Sequence, residues 1–296
     1  MSLTLLSPCK INLYLDVLSP RPDGYHEIVT VMEPVALFDR LIVSEIPGGI
    51  DVSCDRAEIP DGKGNIVYRA AECLRERAGL SRGIAVRIEK RVPAGAGLGG
   101  GSADAAVALR ALNQIWKARL PEDALKEIAA RLGSDVPFFL DPRTSLCRGR
   151  GEIISPLPPA PPFWMVLIHP GVDVSTRWAY GELDRARRRP APPLEPLIES
   201  LPRGTIREIA PLLYNAFEEA VAKRHPEVSR ALSFLMDAGA LRALMSGSGS
   251  TAVGIAESRE EAQIIARRAR ETLPPAWTVV AVPNLSACPV PKTSTN

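Results

Sequence analysis

Apolar and polar residues alternate along Ile11-Asn12-Leu13-Tyr14-Leu15-Asp16-Val17, which predicts a strand with one buried face. Leu41-Ile42-Val43 and Ile50-Asp51-Val52 predict further strands around the turn Pro47-Gly48-Gly49. Asn65 is placed to cap a helix that carries Ala70, Ala71 and Leu74 and ends near Gly79. Strict alternation returns in Ile84-Ala85-Val86-Arg87-Ile88-Glu89-Lys90, followed by a glycine-rich loop and an alanine-rich helix over about 102–114. A helix over 121–132 stops at Gly133, in the position of a C-terminal cap. Five of the seven residues in 156–162 are proline, which neither a helix nor a central strand accommodates. A domain boundary is expected there, giving 1–157 and 158–296.

The second part opens on the apolar strand Trp164-Met165-Val166-Leu167-Ile168-His169. Helices are expected over 206–224 and 227–238, then a pair of strands, 241–245 and 251–256, around a Gly/Ser loop. Ser258-Arg259-Glu260-Glu261 has the spacing of a capping box, and Thr278-Val279-Val280-Ala281-Val282 closes the pattern as a strand. The class is mixed α/β in two units.

Composition narrows the function classes. With 46% hydrophobic and 24% charged residues the chain falls in the ordinary globular range. Thirty-six basic against thirty-four acidic residues leave a formal charge of +2, without the electrostatic footprint of a nucleic-acid binder. The one dense basic cluster is Arg187-Arg188-Arg189, read as a solvated loop or a phosphate-steering patch. Cys9, Cys54, Cys73, Cys147 and Cys288 are scattered, with no Cys-x-x-Cys pair, which points to free thiols and away from a zinc site. The start of the chain lacks the pattern of a signal peptide, and no apolar run reaches the roughly 20 residues of a membrane span. A cytoplasmic protein without membrane or nucleic-acid partners is expected.

The chemistry concentrates in Pro93-Ala94-Gly95-Ala96-Gly97-Leu98-Gly99-Gly100-Gly101-Ser102-Ala103. Glycine is entropically unfavourable in a packed segment, so five in seven residues suit a main chain brought close to an anion. The helix that follows would aim its N-terminus, with about half a positive charge, at that anion. Ser102 and Asp104 add a hydroxyl and a carboxylate near a metal ion or the cap position. Gly95 to Gly100 also satisfies G-x-G-x-x-G, so a nicotinamide oxidoreductase is an alternative. Against it, the preceding strand alternates where a buried parallel strand would be continuously apolar. Glu122 and Asp123, about 20 residues on, fall inside a helix where a ribose-binding acid should end a strand. The chain contains no G-x-x-x-x-G-K-[ST] and is not a P-loop NTPase.

That loop resembles the central motif of the GHMP kinases. Pro8-Cys9-Lys10-Ile11-Asn12-Leu13 is similar to the first motif of that family, and Met245-Ser246-Gly247-Ser248-Gly249-Ser250-Thr251 to the third. Leu132-Gly133-Ser134-Asp135-Val136-Pro137 resembles the segment that carries the family's catalytic aspartate. Within the family, Arg21-Pro22-Asp23-Gly24-Tyr25-His26 resembles the substrate loop of members that take a cytidine-diphosphate-linked polyol. The resemblance implies an N-terminal mixed-sheet α/β domain and a ferredoxin-like C-terminal domain, with ATP and Mg²⁺ in the cleft between them. Mevalonate and homoserine are the alternative substrate types.

Residue roles follow from the resemblance. Asp135 would accept or orient the proton of the attacking hydroxyl, with Lys10 as a nearby cation that lowers its pKa and stabilises developing charge. Asn12, on the same strand face as Lys10, would bond the substrate. His26 would read the edge of the cytosine, with Tyr25 and Tyr180 stacked on its faces. Pro93, Gly95, Gly97, Leu98, Gly99, Gly100, Gly101, Ser102 and Ala103 would form the nucleotide site, Asn65 and Ile66 its adenine side. Ser102 is the candidate magnesium ligand, and Gly247, Ser248 and Gly249 would support the glycine loop and the substrate diphosphate. Two departures stand out: many relatives have a second serine at Ala103, and Met32 occupies the place of an aromatic.

Overall fold

In a computed structural model of the chain, residues 2–185 and 190–287 are described. The Arg187-Arg188-Arg189 cluster and Cys288 lie outside the described residues. The chain begins with two long strands, β1 (Ser2–Pro20) and β2 (His26–Ile46), then β3 (Ile50–Cys54), α1 (Ile66–Ala78), β4 (Gly83–Glu89), α2 (Gly100–Ile115) and α3 (Glu122–Leu132). Next come β5 (Ser145–Gly149), β6 (Ile153–Pro156), β7 (Trp164–His169), α4 (Thr176–Arg185), α5 (Glu195–Ser200) and α6 (Ile206–Ile209). β8 (Tyr214–Asn215), α7 (Glu218–Arg224), α8 (Pro226–Asp237), β9 (Arg242–Met245), β10 (Ala252–Ala256), α9 (Arg259–Thr272) and β11 (Thr278–Pro283) complete it.

The first sheet runs β3-β4-β2-β1-β8, and β2 divides its second edge. Residues 40–46 of β2 pair with β4, whereas residues 28–32 pair with β5. The strands at 41–43 and 50–52 are therefore not a hairpin: β4 lies between them, antiparallel to β2 and parallel to β3. This pairing also separates the sheet from a parallel dinucleotide fold, since the strand before the glycine loop has an antiparallel neighbour. The alternation read in 84–90 is real. Ile84, Val86 and Ile88 are buried against α1, α2 and α3 with Leu74, Leu109 and Ile128.

The second sheet, β11-β7-β10-β9, is antiparallel throughout. Both faces of β7 are covered, which explains its unbroken apolar run. Met165 and Leu167 pack against Ile11, Leu13 and Val35 of the first sheet, and Val166 and Ile168 against residues of α8 and α9 such as Leu235 and Ile265. Strands β1 to β6 belong to one sheet and β7 and β9 to β11 to the other, with 157–163 connecting them. β8 crosses back, pairing Tyr214 and Asn215 in parallel with Tyr14 and Leu15.

That crossing corrects the helix expected over 206–224. Pro211 leaves only a four-residue α6 and a 3-10 turn, and the chain then extends into β8 before α7 begins. Gly133 also differs from a left-handed cap: its backbone is extended, φ 174° and ψ 157°. Other end signals act as read. Asn65 Oδ1 accepts from the Val67 N–H, Gly79 ends α1 at φ 64°, and Ser258 caps α9 through the Glu261 N–H. The Glu261 carboxylate accepts from the Glu257 N–H, one residue earlier than a capping box requires.

Candidate active site

β1 is kinked where it carries the first motif. Its register against β2 shifts between Pro8 and Cys9 and again between Asn12 and Tyr14, and such irregularities re-aim side chains. Lys10 and Asn12 share one face, as strand spacing requires, and the Lys10 Nζ donates to Asn12 Oδ1 at 2.7 Å. The same oxygen accepts from the Gly247 N–H at 2.9 Å, and Asn12 Nδ2 donates to Thr30 Oγ1 at 2.8 Å. The Asn12 side-chain oxygen thus ties Lys10 to the third motif.

The glycine loop is fastened on both sides. The Lys10 N–H donates to Leu98 O, Ser246 Oγ donates to Gly97 O, and the Thr251 N–H donates to Ala96 O. Three segments far apart in sequence therefore form one scaffold. Two glycines are required by this fit. At Gly97 (φ 78°) an added Cβ would lie 2.1 Å from the Ser246 carbonyl oxygen. At Gly99 (φ 71°) it would lie 2.9 Å from the Phe139 ring. The close approach inferred from the glycines is in these places to the protein itself.

α2 starts at Gly100 with no side-chain cap and no acidic residue in its first turn, leaving its N-terminus available to an anion. Gly101 is exposed there, and a Cβ on it would be 3.8 Å from Ile66 Cγ2, so Ile66 flanks this end. Ser102 Oγ lies 4.0 Å from where a Gly133 Cβ would be, facing the segment that leads to Asp135. Pro93 is half-buried and Gly95 exposed at the start of the loop.

Four nucleotide positions have side chains or neighbouring space taken up within the protein. Ala103 is 0% exposed and its N–H donates to Gly99 O. The Leu98 side chain is buried in the core and its carbonyl is bonded to Lys10. Gly100 is buried, with Val92 filling the space beside it. Asn65 spends its amide on the Val67 N–H and the Pro60 carbonyl and acts as a helix cap. Asp104 turns away from the cleft altogether. It accepts from Lys90 Nζ at 2.8 Å in a buried cluster with Asp39, and burial raises its carboxyl pKa against the pull of Lys90.

Lys10, Asn12, Gly95, Gly97, Gly99, Asp135, Gly247 and Ser248 line a cleft of about 930 Å³ with Tyr25, His26, Met32 and Tyr180. Asp135 is not an N-cap, because Val136 takes that place before the 3-10 turn at Pro137–Leu140. Its Oδ2 lies 3.8 Å from Lys10 Nζ, where Lys10 is buried and the Asp135 side chain is 31% exposed. Asp135 acts on its neighbours too. The Tyr180 hydroxyl is pushed up to about 12, first by burial and then by the Asp135 charge.

At the far end of the cleft, Tyr25 is 52% exposed, with the Arg150 guanidinium 4.8 Å from its ring centre. His26 stacks on Tyr180 at 4.7 Å and 21°, and Tyr180 meets Phe217 edge-on at 4.9 Å. Tyr180 thus backs the His26 ring, and both Tyr25 and Tyr180 line the cleft. Gly249 meets the glycine loop with its main chain, its carbonyl oxygen 3.1 Å from where a Gly97 Cβ would be. A Cβ on Gly249 would meet Met245, Val174 and Val221. Ser248 does reach the cleft, its Oγ 3.0 Å from Thr176 Oγ1. Met32, in place of an aromatic, is buried beneath this wall. Arg150, Thr176, Arg177 and Asp184 also line the cleft and had no sequence signal beyond their charge or polarity, since only folding brings them there.

Comparison with known proteins agrees with this geometry. Residues 65–141 match the GHMP kinases N terminal domain, and residues 197–275 match the GHMP kinases C terminal domain. A protein of Pelotomaculum thermopropionicum named 4-diphosphocytidyl-2-C-methyl-D-erythritol kinase is 45% identical over 92% of this chain and 95% of its own. One of the same name from Geobacter sp. (strain M21) is 40% identical over 95% of this chain and 98% of its own. A crystal structure of 4-(cytidine 5'-diphospho)-2C-methyl-D-erythritol kinase superposes with a TM-score of 0.79 at 36% identity, covering 95% of this chain and 98% of its own. A homoserine kinase from Cytophaga hutchinsonii, 21% identical with a TM-score of 0.75, shares the fold. With both halves matched in chain order and the identity carried across nearly the whole length, the chain belongs to the GHMP kinase family.

Proposed function

We propose that this chain is an ATP-dependent kinase that phosphorylates the 2-hydroxyl of 4-diphosphocytidyl-2-C-methyl-D-erythritol, a step of the non-mevalonate route to isoprenoid precursors. Relatives at 40–45% identity bear that enzyme's name over nearly their full lengths. The observation that carries the reading is one cleft with Lys10 and Asp135 beside the glycine loop and Tyr25 and His26 further along its wall. Mevalonate or homoserine is disfavoured, because neither carries a base for the aromatic end.

In this reading Asp135 orients the attacking hydroxyl and takes its proton. Lys10, held by Asn12, stabilises the negative charge that develops on that oxygen. The free N–H groups at the start of α2 and the Gly95–Gly99 backbone receive phosphate oxygens. Phosphoryl transfer of this kind is mostly positioning and charge stabilisation, which suits a site with one carboxylate and one ammonium at its centre. The Tyr25 ring stacks on the base, an interaction of about 1–3 kcal/mol.

Magnesium fits the residues present only as an ion carried largely by phosphates. Among the described residues no group of three or more His, Cys, Asp or Glu could hold a metal, and Asp104 is engaged by Lys90. The Ser102 hydroxyl, in the first turn of α2, would be the protein ligand in this reading. When bound, the ion neutralises phosphate charge.

The division at 157/158 belongs to the same proposal, with the nucleotide loop in the first domain and the Gly247-Ser248 support in the second. No described helix is long and apolar enough to cross a membrane. The test is ADP release from ATP and Mg²⁺ with the cytidylyl substrate, mevalonate and homoserine in parallel. Turnover with the cytidylyl substrate alone supports the proposal. Turnover with another alcohol keeps the kinase and removes the cytidine pocket.

A further inference from the structure

Two side chains on one face of α4 hold the ring of His26. Tyr180 and Asp184 are four residues apart, and so project from the same side of the helix. Tyr180 covers the imidazole face at 4.7 Å, and Asp184 Oδ1 meets Nε2 at 2.9 Å. The imidazole is thereby constrained in plane and in rotation, with its side chain 12% exposed. An ionised carboxylate has acceptors only, so the bond to Asp184 requires the hydrogen on Nε2. In the neutral ring, Nδ1 is then a bare acceptor.

We propose that Asp184 is a positioning residue that sets the His26 tautomer, and through it the preference for cytosine over uracil in the substrate. Cytosine carries an amino donor at the position where uracil, like thymine, carries a carbonyl acceptor. A bare Nδ1 accepts from the amino group and repels the carbonyl lone pairs. The opposite tautomer reverses that sign. This inference rests on the cytidylyl reading above and extends it to a residue from the other half of the chain, which touches no part of the reacting centre.

Histidine ¹⁵N NMR of the free enzyme reads the tautomer directly at about pH 8, above the ordinary imidazole pKa of about 6.5. The chain has three histidines, so the His26 signals are assigned by their loss in one variant. Paired kinetics with the cytidine- and uridine-diphosphate-linked substrates read the consequence. The wild type shows the Nε2–H form. Asp184→Asn, whose amide both donates and accepts, shows a mixture, and its cytidylyl-over-uridylyl ratio of kcat/KM falls on the order of tenfold, mainly through KM. Asp184→Glu, again acceptor-only, restores the tautomer and most of the ratio. An unchanged tautomer in Asp184→Asn, or a shifted tautomer with an unchanged ratio, overturns the proposal. Wild-type enzyme that turns over neither substrate overturns the substrate reading instead, and the specificity claim with it, while the NMR spectra still decide whether Asp184 sets the tautomer.

Discussion

Lys10 is 3% exposed, and its ammonium is held by Asn12 with Asp135 3.8 Å away, so the two charges depend on each other for their placement. Asp135→Asn keeps the shape and removes the base. We expect kcat to fall by about 10²–10⁴-fold with ATP affinity retained, read by single-turnover kinetics and nucleotide titration. Near-wild-type turnover would remove Asp135 from the mechanism. Lys10 and Asp135 are 125 positions apart in sequence, and motif resemblance alone pairs them. Arg150 and Asp184 had no such signal. A lone charged residue in a loop or on a helix end is ordinary, and these matter only because they reach Tyr25 and His26 across the cleft.

Among the elements, α1 and α2 separate packing from ligand contact. The Asn65 side chain closes the first turn of α1. Asn65→Ala should therefore cost about 1 kcal/mol, lowering Tm by about 2–4 °C, with the KM for ATP unchanged. A selective rise in that KM at constant Tm would restore the adenine role. Gly97→Ala is the contrasting case. Its Cβ would enter the Ser246 carbonyl at 2.1 Å from a left-handed backbone, so both Tm and nucleotide binding should fall together. Differential scanning fluorimetry with and without ATP checks both variants. The glycine run signalled that main chain comes close to something. That the something includes the third motif was not legible, because Gly97 and Ser246 meet only after the two sheets pack.

Across the whole molecule, the two sheets are joined by a buried carboxyl. Glu33 of β2 accepts from Thr144 Oγ1 at 2.6 Å and from Nδ2 of Asn284, just after β11, at 2.9 Å. Burial raises its pKa from 4.5 to about 7, with the two hydrogen bonds opposing the rise. A raised pKa means that the folded state holds the proton more tightly than the unfolded chain. The associated stability is complete below pH 4.5, drains away between 4.5 and about 7, and is absent above. Glu33→Gln should flatten the fall of Tm with rising pH across that window. An unchanged pH profile in the variant would show that another group sets the slope.

Local pattern determined much of this protein. The alternation in 84–90, the Asn65 and Ser258 caps, the Gly79 stop and the unbroken apolar run of β7 all rest on contacts between near neighbours or on burial of one face, which periodicity encodes directly. Motif order was enough to indicate the family. Tertiary structure decided the rest. β4 took the place beside β2 that a hairpin would have given to β3, and Pro211 broke a periodic helix so that β8 could join β1. Tyr180 came to rest behind His26, and Asp104 turned to Lys90. In each case the choice depends on the free energy of packing distant segments and satisfying their buried polar groups, and that quantity is a property of the assembled core, not of any stretch of the chain.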